Sequence, residues 1–343
     1  MTARSIVRIA VATVVLVAGL WWTLHAVDFA NMVRIMMASD VVLVILCIPI
    51  ILLSHVVRAH RWKILLRPSA PNVPLGRATS AVLIGYAANS IIPRSGELIR
   101  PWVLSRRCSI PLGTSIASIV VERMLDVLSL VTGIAIVSLI ANDRISAAIP
   151  TLTFGRVLTV IVLPMAALAA MIGITAYTRL GAWTIERLVR PLRASAADAL
   201  HRILETVRSG LHAVAQPRLY AGLLIDTILI WLLWALPIML CYHAIPHVHA
   251  WPFGIADATI VLLIVSVGAT IAPTPGAIGV YQSFAQLALM VLYGAGQDEA
   301  TAFAMLTWIV NYMLTLVVGG LCWLYEVRQG LTWRDLVQSA RKP

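Results

Sequence analysis

Charged side chains stand in two short stretches where the sequence is otherwise apolar. They are Arg94, Glu97 and Arg100 in the first stretch and Glu122, Arg123 and Asp126 in the second. Glu97 and Arg100 can pair on one face of a helix, and Glu122 and Asp126 project to one side at a spacing of four. Guanidinium groups bind phosphate, whereas carboxylates balance charge or carry a proton. The pattern therefore predicts a phosphate-binding site; a self-neutralising cluster of ion pairs is the alternative.

Two apolar stretches are interrupted by proline and glycine. Residues 78–92 end at Pro93-Arg94-Ser95-Gly96, and residues 257–272 end at Pro273-Thr274-Pro275-Gly276. A broken helix within a membrane is tolerated only where protein or a wet cavity surrounds it. We therefore predict two re-entrant hairpins, near 78–107 and 257–293. Their expected hinge residues are Pro93 and Gly96 in the first hairpin and Pro273, Pro275, Gly276, Gly279 and Gln282 in the second.

The two breaks share a pattern, Ile-x-Pro-x-x-Gly-x-aliphatic, 180 positions apart. A repeat of opposite orientation is typical of transporters, in which the site lies where the broken helices meet. The pattern favours an inverted repeat, with a chance alignment of two breaks as the alternative. Asn89, just before the first break, is predicted either to cap backbone groups or to contact a ligand.

The composition indicates what surrounds these residues. Of 343 residues, 60% are hydrophobic and 12% are charged, against roughly 25% charged in a soluble domain. A water-soluble domain is therefore excluded. Runs long enough to cross a bilayer occur at about 6–25, 41–57, 116–140, 157–177, 219–243 and 301–325. The predicted fold class is an all-α polytopic membrane protein with six full transmembrane helices and the two hairpins.

The net charge of +11 comes almost wholly from arginine, since only Lys63 and Lys342 are lysine. With the predicted crossings, 22 of the 26 basic residues lie on the side of the N-terminus. By the positive-inside rule that side is cytoplasmic, so both termini are predicted to be cytoplasmic. The basic residues therefore mainly orient the chain in the membrane, with the basic side facing anionic lipid head groups. A nucleic-acid partner is not predicted.

The expected organisation is one integral membrane domain over residues 1–343. A first half, 1–177, is joined to a second, 219–343, by a cytoplasmic amphipathic connection at 178–218. His243, His247 and His249 lie near Cys241, but no spacing completes a metal site, and no nucleotide-binding motif is present. We predict no metal and no cofactor. Asp226 and Asp257, near the ends of apolar stretches, are expected to face water.

A basic aromatic run follows the second predicted span and includes Arg58, Arg61 and Trp62. Such runs usually anchor a helix at the membrane surface, where long side chains reach the interface. A gate at which these three residues meet the phosphates of incoming lipids is the alternative function.

Four motifs occur in order along the chain: Arg-x-x-Arg-Trp-x-x-Leu-Leu from Arg58, Asn-x-x-x-Pro-x-x-Gly-Glu-x-x-Arg from Asn89, Glu122-Arg123-x-x-Asp126, and Pro275-Gly276-x-x-Gly279. Together they resemble the lysylphosphatidylglycerol synthase transmembrane-region family, over roughly residues 10–325. The resemblance implies a multi-pass protein of the bacterial inner membrane that moves a lipid or a lipid-linked sugar between leaflets. It further implies a stand-alone member without the aminoacyl-transferase domain.

Two positions depart from the family pattern. Ala277 stands where the family has a second glycine, and Gln282 stands where an acidic residue is usual. If members of the family use that acidic residue in transport, then the substrate or the mechanism of this protein differs from theirs. Members also occur beside hopanoid synthesis and glycosyltransferases, which widens the expected lipids and partners.

The sequence features and the resemblance leave three alternative functions. The first is a lipid flippase or scramblase for an anionic phospholipid, a hopanoid-type lipid or a lipid-linked sugar. Its charged residues would bind the lipid phosphate or take protons. The second is an intramembrane transferase with Glu97 or Asp126 as base. The third is a non-catalytic membrane partner of a glycosyltransferase or a lipid-synthesis enzyme.

Overall fold

The computed structural model describes most of the chain. The described residues are 21, 25, 27–148, 153–164, 167, 179–190, 197–198, 201, 217–246 and 252–331. Within them every regular element is a helix. The first predicted crossing, at 6–25, and the end of the crossing at 157–177 lie largely outside this part of the chain, and so does most of the amphipathic connection.

Thirteen α-helices are named for the described residues. They are α1 (Phe29–Met37), α2 (Val41–Leu66), α3 (Leu75–Ile91), α4 (Gly96–Cys108), α5 (Leu112–Ile140), α6 (Asn142–Ala148), α7 (Phe154–Val157), α8 (Arg179–Thr184), α9 (Tyr220–Ala244), α10 (Ile255–Ile271), α11 (Val280–Tyr293), α12 (Gln297–Trp308) and α13 (Leu314–Arg328). Three π-helical turns continue α7, α8 and α12, at Leu158–Val162, Ile185–Val189 and Ile309–Met313. Short 3₁₀ turns lie at Pro217–Leu219 and Pro275–Ala277.

Five helical segments of the described chain are long and apolar enough to cross a membrane. Four of them, Val41–Leu66, Leu112–Ile140, Pro217–Ala244 and Gln297–Arg328, contain predicted crossings. The fifth, Pro275–Tyr293, is the second arm of the second hairpin. The all-α polytopic fold class is confirmed. The re-entrant course of the hairpins and the inverted repeat stay predictions.

Helix α2 extends through the basic aromatic run, where the sequence analysis ends the span at about residue 57. None of the residues between Arg58 and Leu66 is a proline or glycine, so the backbone has no reason to leave the helix there. The extension carries Arg61 and Trp62 into the folded interior, since both are buried.

The chain forms two compact units. Unit 1 comprises Met1–Arg58, Thr79–Arg100 and Ile228–Pro343, and unit 2 comprises Ala59–Ala78 and Pro101–Thr227. The predicted halves, 1–177 and 219–343, stay a prediction. The apolar core of unit 1 includes Ile238, Phe253 and Phe303. A smaller apolar cluster in unit 2 joins Leu65, Val121, Leu219 and Leu223.

The break between α3 and α4 lies at Pro93, as predicted. A residue before proline is disfavoured in the helical region, and Arg94 after it has a positive φ of 63°. The side-chain oxygen of Asn89 accepts a hydrogen bond from the backbone N–H of Gly96, at 2.7 Å. Because the first N–H groups of a helix lack partners in that helix, Asn89 stabilises the start of α4.

Helices α3 and α4 approach each other at two glycines of unit 1. A Cβ atom on Gly96 would lie 2.0 Å from the carbonyl oxygen of Gly85. No side chain fits in that space, so the second arm of the hairpin packs directly on the backbone of the first.

The break between α10 and α11 is also at the predicted position. Gly276, Ala277 and Gly279 all have positive φ angles, of 57°, 54° and 81°. The side chain of Gln282 accepts a hydrogen bond from the backbone N–H of Gly279, at 2.7 Å. Gln282 is therefore the cap of α11, which an acidic residue at the same position could equally form.

Helices α3 and α13 of unit 1 pack closely along an antiparallel seam. Ser80 donates a hydrogen bond to the carboxylate of Glu326, at 3.2 Å. One end of the seam is thus polar. A Cβ atom on Gly319 would lie 2.3 Å from the carbonyl oxygen of Leu83, so glycine is required where the helices touch.

Candidate functional site

A cluster of charged side chains lies between α2 and α5 in unit 2. Arg61 places Nη2 on a carboxylate oxygen of Asp126 and 3.5 Å from Oε1 of Glu122. Arg123 places Nη2 3.0 Å from the other oxygen of Asp126 and 4.0 Å from Glu122. Two guanidinium groups therefore balance two carboxylates. We call these four residues the ion-pair cluster.

The regular turn of α5 brings the acids together. Glu122 and Asp126 are four residues apart and share a face of the helix. Arg61 reaches that face from α2, and its Nη1 donates to the hydroxyl of Thr227, at 3.2 Å. That hydroxyl donates in turn to the carbonyl oxygen of Leu223. Arg61 is thus held by groups from two further helices.

The cluster has a buried end and an accessible end. The side chains of Arg61 and Glu122 are 1% and 0% exposed, whereas those of Arg123 and Asp126 are 43% and 23% exposed. A buried charge without a partner is strongly destabilising. Arg61 and Glu122 therefore form the supporting pair, and an anion can approach Arg123 and Asp126.

Arg61 lies in a different place from the one predicted from its sequence neighbours. Arg58, Arg61 and Trp62 are predicted from the sequence to form a surface anchor or gate, but all three side chains are buried. Trp62 donates its indole N–H to Ser118, at 2.8 Å. The surface-anchor interpretation is wrong for these three residues because their side chains point into protein. The gate function stays a prediction.

The other predicted site residues lie in unit 1. Arg100 is buried and its Cβ packs against Gly85, whereas Arg94 is exposed and Glu97 is partly exposed. Asn89 caps α4 as described. Ligand binding by these four residues stays a prediction.

The two helix breaks of unit 1 lie close together. A Cβ atom on Gly276 would lie 3.6 Å from the carbonyl oxygen of Ser90. Nη2 of Arg94 donates to the carbonyl oxygen of Thr270, at 3.4 Å. The first break therefore contacts residues on both sides of the second break, and a ligand site between the two breaks stays a prediction.

Aromatic side chains hold the second break in place. Trp308, the last residue of α12, donates its indole N–H to the carbonyl oxygen of Gly276, at 2.8 Å. Its ring stacks on Tyr312, with centroids 6.0 Å apart, and Tyr312 meets Tyr281 edge to face. Tyr312 belongs to the π-helical turn, a feature often found at functional sites. Neither Trp308 nor Tyr312 belongs to a motif that could be recognised in the sequence.

Three buried carboxylates also have protein partners. Asp226 contacts Nδ1 of His60 at 2.7 Å in unit 2, and Asp257 accepts a hydrogen bond from Tyr293 at 3.1 Å in unit 1. The expectation that both aspartates face water is therefore wrong, because each is shielded by a partner on another helix. The third, Glu326, is not named in the sequence analysis.

The described residues hold no group of three or more His, Cys, Asp or Glu side chains placed for a metal ion. His243 donates its Nε2–H to the backbone carbonyl oxygen of Phe253, at 2.8 Å. His247 and His249 lie outside the described residues.

The sequence model of the lysylphosphatidylglycerol synthase transmembrane region matches residues 5–319. The chain belongs to this family. The chain is also similar to a protein named Glycosyltransferase AglD of Haloferax volcanii, with 24% identity over 93% of the chain. The chain spans about half of that relative, 55% of its length.

The chain thus carries two chemical features. One is the ion-pair cluster of unit 2, with an accessible arginine. The other is a pair of adjoining helix breaks in unit 1, at which backbone groups leave their helices.

Proposed function

We propose that this protein moves an anionic lipid between the two leaflets of a membrane. The observation that carries the proposal is the ion-pair cluster, because charged groups inside apolar helices are costly and are usually retained for function. Membership of the family supports a role with lipids. The expected substrates are an anionic phospholipid, a hopanoid-type lipid or a lipid-linked sugar.

The ion-pair cluster can bind a lipid phosphate by exchanging one partner of Arg123 for another. A lipid phosphate that arrives at the accessible end takes the place of Asp126 on Arg123, since guanidinium binds phosphate as well as carboxylate. The freed Asp126 keeps its contact with Arg61, which limits the cost of the exchange. When the phosphate leaves, Asp126 returns to Arg123. The bound phosphate adds one negative charge to the cluster, and a proton on Glu122 or Asp126 balances that charge until the phosphate leaves.

The residues of unit 1 have proposed functions of their own. Asn89, Arg94, Glu97 and Arg100 contribute to head-group binding, and the two breaks flex as the protein opens toward each leaflet in turn. The positive φ angles of Arg94 and Ala277 support this function. Residues with side chains rarely adopt that region, and such strain is often found at moving sites.

The location is proposed from the arginine distribution. The protein is placed in the inner membrane of a bacterium with both termini in the cytoplasm, because basic residues concentrate on that side. Its partners are membrane lipids, together with a lipid-synthesis enzyme or a glycosyltransferase.

Reconstitution in liposomes tests the proposal. A phospholipid with a fluorescent acyl chain is added, and the fraction in each leaflet is followed with a membrane-impermeant quencher. Glu122→Gln and Arg123→Gln are expected to slow translocation by about tenfold or more, since each removes a charged hydrogen-bond partner. Arg34→Gln, which removes an exposed arginine of α1, is the matched control and leaves the rate unchanged.

A double variant can show that the proposed site is not used for transport. If Arg94→Ala combined with Glu122→Gln translocates lipid at the rate of the unaltered protein, the proposed site is ruled out. Gel filtration and circular dichroism of each variant separate loss of transport from loss of folding.

A second function is favoured by the relative named as a glycosyltransferase. In that case the protein acts with, or as part of, an enzyme that transfers a sugar to a lipid. Mass spectrometry of the lipids distinguishes the two functions, because a transferase changes the mass of the lipid and a flippase changes only its leaflet. Transport by the purified chain alone argues against a purely accessory function.

A further inference from the structure

Helix α1 is short and lies at the end of a membrane-crossing helix. Its nine residues span about 14 Å, which is less than half of a hydrocarbon core of about 30 Å. Residues 38–40 join it to α2, which is long and apolar enough to cross. The backbone N–H of Asp40 donates to the carbonyl oxygen of Ala244, the last residue of α9, at 2.8 Å. One crossing helix thus begins, and another ends, beside this connection, so α1 lies near the surface of the membrane.

One face of α1 is fixed to the protein. Met32 is buried, and Met36 packs against the apolar core of unit 1. Nδ2 of Asn31 donates a hydrogen bond to a carboxylate oxygen of Asp298, at 2.7 Å. The other oxygen of Asp298 accepts from the backbone N–H of Asp28, at 3.1 Å. These bonds tie the start of α1 to the first turn of α12.

A second face of α1 is apolar and exposed. Phe29, Val33 and Met37 are 64%, 38% and 81% exposed. They are four residues apart, so they form one row along the helix, which we call the apolar stripe. Adjoining apolar side chains are unfavourable in water, and where they are exposed they mark a surface that contacts a partner or a membrane.

A third face of α1 carries an arginine between two alanines. Ala30, Arg34 and Ala38 are exposed, and each follows a residue of the apolar stripe by one position. One position is a rotation of about 100° around the helix axis. The guanidinium of Arg34 is always charged and requires polar surroundings. The two exposed faces therefore need different surroundings, one apolar and the other aqueous, as in helices that lie in a membrane interface.

The surface that follows the apolar stripe indicates what covers it. Val41, Val42 and Ile45, in the first turns of α2, are exposed as well. Exposed apolar side chains of a crossing helix face lipid, so these three side chains meet the membrane. The apolar stripe continues this lipid-facing surface, and a single apolar environment covers both.

We propose that α1 is an interfacial anchor that lies in the plane of the membrane. Its apolar stripe is inserted among the glycerol groups and upper acyl chains of one leaflet, and Ala30, Arg34 and Ala38 face the water. The partner is the lipid surface as a whole, independently of any transported molecule. Asp298 links the anchor to α12, whose last residue, Trp308, bonds to the second helix break. The anchor thus sets the depth of α12 in the membrane.

Neighbouring cysteine variants compare the two exposed faces. Phe29→Cys and Met37→Cys place a thiol on the apolar stripe, and Ala30→Cys and Ala38→Cys place one on the aqueous face beside it. The full chain in lipid nanodiscs is treated with a charged, water-soluble maleimide. Modification is quantified by mass spectrometry on peptides of α1, so that the native cysteines do not contribute.

The thiols of the aqueous face are expected to react about tenfold faster or more, because lipid excludes the reagent and disfavours the thiolate. In SDS, which removes the membrane, all four thiols should react alike. Equal rates on the two faces in nanodiscs overturn the proposal.

Nanodiscs that hold one chain distinguish lipid from a second copy of the protein. If lipid covers the apolar stripe, protection of Phe29→Cys and Met37→Cys persists in these nanodiscs. If both variants are protected in liposomes that hold many chains and react rapidly in single-chain nanodiscs, a second copy is the cover and the proposal is overturned.

The unaltered chain provides a second measurement, which is independent of the folding of any variant. It is irradiated in nanodiscs that contain phosphatidylcholine with a diazirine either near the start or at the end of an acyl chain. Peptides of α1 are expected to be labelled by the first probe, and Leu53, an exposed residue midway along α2, by the second. Labelling of α1 mainly by the second probe, or by neither, overturns the interfacial position. Both assays measure position in the membrane only, so a failure of lipid translocation leaves their result intact.

Discussion

The guanidinium of Arg61 lies 3.5 Å from the carboxylate of Glu122, and neither side chain is more than 1% exposed. The two residues lie on different helices, 61 positions apart in the chain. Their pairing supports the accessible residues Arg123 and Asp126, which the proposed function uses.

Removing one member of the supporting pair should destabilise the protein. Arg61→Gln leaves Glu122 without its full charge partner, and breaking a buried ion pair in this way costs about 3–5 kcal/mol. Thermal unfolding in detergent should show a lower midpoint.

A double variant provides the control for that prediction. Arg61→Gln combined with Glu122→Gln removes both charges and should recover a large part of the stability, since no uncompensated charge remains. A double variant as unstable as the sum of the two single variants would contradict the supporting function of the pair.

Adjacent glycines of α13 give a matched test of the seam with α3. Gly319→Ala places a methyl group 2.3 Å from the carbonyl oxygen of Leu83, so the helices must separate, at a cost of about 1–3 kcal/mol. Gly320→Ala meets no atom within 4 Å and should be neutral or stabilising by roughly 0.5–1 kcal/mol. The unfolding midpoints of the two variants should therefore move in opposite directions. Equal midpoints would contradict the close packing of α13 on α3 at Gly319.

The second helix break depends on an alanine in a left-handed conformation. Ala277 has a φ of 54°, which a β-branched side chain cannot adopt without strain. Ala277→Val should destabilise the protein by more than 1 kcal/mol, at about the scale of other strained residues. Ala277→Gly, which restores the residue expected in the family, should be tolerated. Retention of full stability by the valine variant would contradict this geometry.

Trp308 should matter through its indole N–H as well as through its ring. Trp308→Phe keeps an aromatic ring beside Tyr312 and removes the donor to the carbonyl of Gly276, which predicts a loss of about 1–3 kcal/mol. Hydrogen exchange around residues 274–279 should become faster. Trp183→Phe alters an exposed tryptophan and serves as the control. Unchanged exchange in Trp308→Phe would show that the hydrogen bond does not hold the break.

Local features of this protein could be predicted from the order of its residues. Helix geometry and backbone sterics explain three of them. These are the apolar runs long enough to cross a membrane, the breaks at Pro93 and Pro273, and the position of Glu122 and Asp126 on one face of a helix. These effects act over a few residues, so no distant partner is needed to recognise them.

The tertiary structure alone decided which helices meet. Arg61 resembles a surface anchor in the sequence because its neighbours are basic and aromatic, yet the continuation of α2 places it against α5. Asp226 and Asp257 resemble exposed carboxylates until His60 and Tyr293 approach from other helices. Asn31 and Asp298, which share a hydrogen bond, are 267 positions apart. Burial and pairing depend on contacts between distant segments, because a charge is stabilised or destabilised by whatever packs against it, and local sequence does not specify that neighbour.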